Sequence, residues 1–174
     1  MAKNFNRVNV LITGADGFIG SHLTKELLNQ GANITAIVHS ENLKNLKKIK
    51  DKIKIIYGDV KKNEIIDEII KANPDYIFHL AAINKSDNYE NMKEILETNI
   101  MGVINVVESA IKIKNLKKLI FSSTYLVYEG SVESLRENTN LNPKSSYAIS
   151  KYASERILQK YSTKYNIPIV ITRL

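Results

Sequence analysis

Apolar residues along this chain fall into two alternating patterns. Short runs at residues 7–13, 34–38, 53–57, 76–80, 119–122 and 167–172 are apolar on both faces and read as buried strands. Between them, apolar residues recur every three or four positions. The stripe Ile19, Leu23, Leu27 and Leu28 predicts a helix over 18–29, stopped near Gly31. Ile65, Ile66, Ile69 and Ile70 predict another over 62–71, halted by Asn73 and Pro74. A long helix over 91–112, carrying Ile95, Asn99, Gly102, Val106 and Ala110, and one over 146–165 complete the set. Residues 43–50 space Leu43, Leu46 and Ile49 three apart, as a turn or short amphipathic helix with a solvated lysine face would. Strands alternate with helices throughout, which predicts an α/β fold: a parallel sheet with helices on both faces.

Composition narrows this only slightly. At 174 residues the chain has room for one domain with a sizeable core, and 44% hydrophobic with 25% charged residues is ordinary for a folded protein. With no cysteine, disulfides and thiolate metal sites are impossible. The polar, basic first nine residues hold no signal-peptide core, and no apolar run approaches the roughly 20 residues of a membrane span. A cytoplasmic location and no membrane partner are therefore expected. The net charge of +7 raises nucleic acid as a partner, but the lysine runs at 44–54 and 112–118 lack the interleaved aromatics of a strand-stacking surface. They read instead as a basic surface hospitable to anionic cofactors and substrates.

The junction between the first strand and first helix carries chemistry. In Thr13-Gly14-Ala15-Asp16-Gly17-Phe18-Ile19-Gly20, Gly14 permits a tight turn and Gly17 lets backbone N–H groups approach a pyrophosphate. Gly20 lets helix and strand pack closely. The spacing G-x-x-G-x-x-G resembles that of the extended short-chain dehydrogenase/reductase family, which includes nucleotide-sugar epimerases, dehydratases and reductases. Tyr147 and Lys151 lie one turn apart on a predicted helix, so an ammonium can favour the phenolate of its neighbour. Their surroundings, Ser146-Tyr147-Ala148-Ile149-Ser150-Lys151-Tyr152-Ala153-Ser154-Glu155, resemble the family's Y-x-x-S-K-x-x-x-E stretch. Phe121-Ser122-Ser123-Thr124-Tyr125-Leu126-Val127-Tyr128 resembles its F-S-S-[ST]-x-x-V-Y signature. Glu129 before Gly130 departs from the usual glycine there. Ser123 is the better candidate for a hydroxyl that merely caps the following loop.

The resemblance spans residues 8–173 and implies a doubly wound, Rossmann-like fold that binds NAD or NADP. Thr124, Tyr147 and Lys151 would be catalytic: Tyr147 as acid and base, Thr124 positioning the sugar oxygen, Lys151 tuning the tyrosine and holding the ribose. Cofactor contacts would come from Gly14, Gly17, Phe18, Ile19 and Gly20, from His39 and Ser40, and from Asp59 and Val60 in the G-D-[VIL] match. Leu80, Ala81 and Ala82 of H-L-A-A, Asn99 and Ser122 would join them, with Tyr147 and Lys151. His79 receives no catalytic role. Where the NAD pattern has a carboxylate at the end of the second strand, alignment places Val38, followed by His39 and Ser40. NAD and NADP are both left open, with Lys44 available to a 2′-phosphate.

Dehydrating members carry an acid and a base where this sequence has Tyr125 and Leu126, which disfavours that branch and leaves epimerase or keto-sugar reductase chemistry on a nucleotide sugar. The sequence stops at Leu174, at the edge of the last predicted strand. The expectation is thus a dinucleotide-binding domain over 1–174, with the substrate-binding part beyond it, and a cofactor-binding module without independent turnover is the alternative. Family members pair through the helices corresponding to those of Asn99 and Tyr147, so a homodimer is also implied.

Overall fold

The structure of the chain, a computed structural model, describes residues 5–84, 91–129 and 134–174. Gly130 and the first four residues lie outside these. Six strands, β1 (Asn9–Thr13), β2 (Asn33–Val38), β3 (Lys54–Tyr57), β4 (Tyr76–His79), β5 (Lys118–Ser123) and β6 (Ile169–Arg173), form one sheet in the order β3-β2-β1-β4-β5-β6. Every pairing is parallel. The order reverses between β1 and β4, the place where open sheets of this kind bind ligands at the strand C-termini.

The helices are α1 (Phe18–Asn29), α2 (Glu64–Ala72), α3 (Met92–Leu96), α4 (Gly102–Ile111) and α5 (Ser146–Tyr165). Alternation along the strands sends side chains to two cores. Leu11, Ile37, Ile77, Leu119 and Phe121 face one, filled by Ile65, Ile69, Val103, Val107 and Leu158 of α2, α4 and α5. Val10, Ile12, Ile34, Ala36 and Val38 face the other, filled by Leu27 of α1 and by Leu43 and Leu46. Burial on both faces explains why the strands lack a polar alternation.

Two expectations need correction, at the start of β1 and over 91–112, and between them one open alternative is decided as turns. β1 begins at Asn9, not residue 7, because Arg7 adopts a left-handed φ of 59° in a turn closed by the Val8 N–H on the Phe5 carbonyl. Residues 44–49 make successive turns, followed by a 3₁₀ turn at Lys50–Lys52. Their helical spacing instead serves to bury Leu43 and Leu46, while backbone N–H groups of the segment bond the Asp16 carboxylate. The helix expected over 91–112 is broken into α3, a π turn at Glu97–Met101, and α4. The wider turn sits around Asn99, whose side chain and carbonyl are both engaged by neighbouring elements.

Candidate active site

The site is built on the strand ends at the reversal point. Gly14 has a φ of +67°, and a Cβ there would come within 2.8 Å of the Ala81 N and 2.9 Å of its Cα. Only glycine admits that approach without strain. A side chain at Gly20 would run into the Gly14 carbonyl oxygen, so α1 sits directly on the loop. Gly17 caps α1 in an extended conformation. Phe18 (79% exposed) and Ile19 begin that helix at the surface, and the free N–H groups of its first turn form an anion-binding end. Thr13 ties the two central strands together: its Oγ1 accepts the Leu80 and Ala81 N–H groups and lies 2.7 Å from Nδ1 of His79.

A groove of about 380 Å³ runs over these strand ends. Gly14, Gly17, His39, Asp59, Val60, Leu80, Ala81 and Ala82 line it, as do Ile83, Lys61, Glu94 and Thr98, which the sequence did not single out. The cradle of close backbone approaches at Gly14 and Gly17, opening onto a helix N-terminus, suits the pyrophosphate of a dinucleotide. Val38 points into the second core, and the next residue, His39, faces the groove. Ser40 is not among the lining residues; its Oγ accepts the Asn42 N–H within its own turn. Asn105, also missed, donates to the Val60 carbonyl and, with Gly102 packed on the Val60 side chain, fixes the loop after β3.

Asn99 joins this groove to the second half of the site. It is 1% exposed; its Oδ1 accepts the Ile83 N–H at 2.8 Å, and its Nδ2 donates to the Ile83 carbonyl and to Ser150 Oγ. Ser154 donates to the Asn99 carbonyl. Ser150 in turn donates to the Tyr147 carbonyl. Ser145 caps α5 through the Ala148 N–H, setting where Tyr147 and Lys151 emerge.

Lys151 is buried and donates from Nζ to the Ser122 carbonyl at 2.7 Å, 4.7 Å from the Phe121 ring centre and 5.7 Å from that of Tyr147. Burial lowers its pKa to about 8. The Tyr147 phenol, half-buried, has its pKa raised by burial, against the lowering expected beside an ammonium. The Lys151 ammonium is hydrogen-bonded to the Ser122 carbonyl. Thr124, buried at the end of β5, accepts the Leu126 N–H at 3.3 Å and so caps the 3₁₀ turn Tyr125–Val127. The capping role expected of Ser123 therefore falls to Thr124, whose own hydrogen remains to be donated. Ser123 donates instead to Glu155, which is 1% exposed and accepts from two guanidinium nitrogens of Arg173, Nε at 3.0 Å and Nη2 at 2.7 Å. Among the described residues, no cluster of three His, Asp or Glu could hold a metal, and no helix is long and apolar enough to cross a membrane.

Comparison with known proteins gives the family of the chain and its relatives in fold. The sequence model of the NAD dependent epimerase/dehydratase family matches residues 10–174. A dTDP-D-glucose 4,6-dehydratase of Dictyostelium discoideum is 33% identical over 94% of this chain and 42% of its own length. A UDP-glucose epimerase of Bacillus subtilis, itself uncharacterized, is 33% identical over 95% of this chain and 55% of its own. Among solved structures, UDP-glucose 4-epimerase of Thermotoga maritima with UDP-glucose superposes with a TM-score of 0.84 at 28% identity, covering 95% of this chain and 55% of that one. UDP-glucuronic acid 4-epimerase of Bacillus cereus in complex with NAD gives 0.84 at 29% identity, over 94% and 55%. The chain thus spans about half the length of the relatives it matches.

Proposed function

This chain belongs to the NAD-dependent epimerase/dehydratase family, and we propose that it binds NAD and serves the epimerisation or keto reduction of a nucleotide sugar. One observation carries the reading: the groove over β1 and β4 is wired, through Ile83, Asn99 and Ser150, to the helix turn that bears Tyr147 and Lys151. When bound, NAD supplies reversible two-electron oxidation at a sugar carbon. The backbone of Gly14 and Gly17 and the first turn of α1 take the pyrophosphate, His39 faces the adenosine ribose, and Asp59 with Val60 borders the adenine. Leu80, Ala81 and Ala82 form the floor. Phe18, Ile19 and Gly20 contribute the helix end, and Ser122 orients Lys151.

At the other end, Tyr147 moves the proton at the sugar hydroxyl through its phenol oxygen. Burial keeps that phenol protonated at neutral pH, poised to donate to a developing alkoxide. Thr124 donates its hydroxyl hydrogen to the same oxygen. Lys151, still largely charged at pH 7, supplies the positive charge that a phenolate needs. Dehydration is disfavoured, since the 3₁₀ turn after Thr124 offers Tyr125 and Leu126, both largely exposed, where an acid and base are required.

The half-length coverage of the relatives favours a second reading, a cofactor-binding module that needs further chain for turnover. Assaying UDP-sugar epimerisation alongside NAD titration separates the two. On the first reading Tyr147→Phe lowers turnover by about 10²- to 10⁴-fold with NAD affinity nearly unchanged. Saturable NAD binding with no turnover at high protein concentration supports the module. Absence of NAD binding removes both.

A further inference from the structure

An acidic residue in a phosphate-binding loop is unexpected, because its charge opposes the ligand. Asp16 lies between Ala15 and Gly17 in that loop, yet its carboxylate is directed away into a separate structure. Oδ1 accepts the N–H groups of Asn45 (2.8 Å) and Leu46 (3.0 Å), and Oδ2 that of Lys44 (3.1 Å). The Asn45 side-chain amide donates back to the Asp16 carbonyl at 2.6 Å. Three consecutive backbone N–H groups converging on one point make a nest that binds anions in general, and here the anion comes from the chain itself.

The nest belongs to the segment that follows β2. That segment leaves the sheet at Val38, places His39 in the groove, and is pinned again by the buried side chains of Leu43 and Leu46. The short arch between those anchors, residues 39–42, is exposed along its length. In doubly wound folds the end of the second strand meets the adenosine ribose, where a carboxylate selects the 2′-hydroxyl and basic groups accept a 2′-phosphate. This chain has no carboxylate on the strand itself.

We propose that Asp16 is the specificity-determining residue for the dinucleotide: as an internal anion it fills the nest of residues 44–46, fixes the His39 arch, and so reserves this end of the groove for a ribose 2′-hydroxyl. The inference rests on the NAD-binding reading above. Asp16 acts through the arch and its own charge, as a positioning residue. Removing it frees the N–H groups of Lys44, Asn45 and Leu46, a nest for another anion five to seven residues beyond the groove-lining His39.

The test is titration calorimetry of NAD and of NADP against the wild-type protein, Asp16→Ala and Asp16→Asn, with the thermal shift produced by each dinucleotide as a second readout. Wild type should prefer NAD. In Asp16→Ala the ratio of NADP to NAD dissociation constants should fall by about tenfold, mainly through tighter NADP binding, since charge-assisted bonds replace an internal one. Asp16→Asn keeps an acceptor for the turn but loses the charge, and should fall between the two. It also carries the test if circular dichroism shows Asp16→Ala unfolded. A ratio unchanged in both variants, with the two affinities falling together, overturns the inference and leaves NAD binding intact. So does a wild-type preference for NADP. Wild type binding neither dinucleotide would overturn the functional reading itself, and this inference with it.

Discussion

His79 is enclosed between Thr13 and the Phe121 ring, 5.9 Å away, with Nδ1 at the Thr13 hydroxyl and, among the described residues, nothing bonded to Nε2. Because Thr13 Oγ1 already accepts two backbone N–H groups, its hydrogen goes to Nδ1, and the imidazole is the neutral Nε2–H form. Burial, and after it the charge of Lys151, lowers its pKa to about 3. An unfolded histidine titrates near 6.5. The folded value being depressed, the stabilisation it gives is complete above the unfolded pKa and is lost as pH falls toward 3. The melting temperature of the wild type should therefore decline between pH 6.5 and pH 3, and His79→Gln should decline less steeply over that interval. Equal slopes in a differential scanning series would show that the imidazole does not carry the acid sensitivity. Lys151 obeys the same sign. Its pKa of about 8 lies below the unfolded value, so stability rises with pH between about 8 and 10.4.

Among the elements, α5 bears Tyr147 and Lys151 and keeps the bounds expected from the sequence, Ser146 to Tyr165. It is held at three places: by the Ser145 cap, by Ser150 and Ser154 on the π turn, and by Glu155 on Ser123 and Arg173. Tyr128 completes the last cluster, its hydroxyl accepting from Arg173 Nη1 at 2.8 Å. Glu155→Gln leaves the Arg173 guanidinium without its carboxylate in a largely buried setting. Urea denaturation should register a loss of about 3–5 kcal/mol. A loss under about 1 kcal/mol would mean that the cluster is solvated like a surface pair.

The strands and the glycine loop were legible because they rest on local rules: burial on both faces, and backbone geometry that only glycine allows at Gly14. The π turn was not, because the interruption at Asn99 comes from partners at Ile83, Ser150 and Ser154 that no local period records. That Val38 turns to the core and His39 to the groove depends on the register of β2 between β1 and β3, which no local pattern states. The ties of Asp16 left no local mark in the sequence, since its partners lie 28 to 30 residues away.

For the molecule as a whole, a parallel sheet with one reversal of strand order places a groove at that reversal, and Asn99 ties the groove to the tyrosine–lysine turn. The two cores carry the sheet, while the strand ends are left to close backbone approaches and polar ties such as Thr13. Ligand bound only by the folded state should stabilise the whole domain, by about 2.7 kcal/mol at a concentration one hundred times its dissociation constant. The most direct measurement is calorimetric titration of NAD into the wild-type protein and into Gly14→Ala. The added Cβ meets the Ala81 backbone at 2.8 Å and must adopt a φ of +67°. The account predicts saturable one-site binding to the wild type, weakened at least about tenfold in a Gly14→Ala protein that still folds. Failure of the wild type to bind NAD, or equal binding by both proteins, would contradict it.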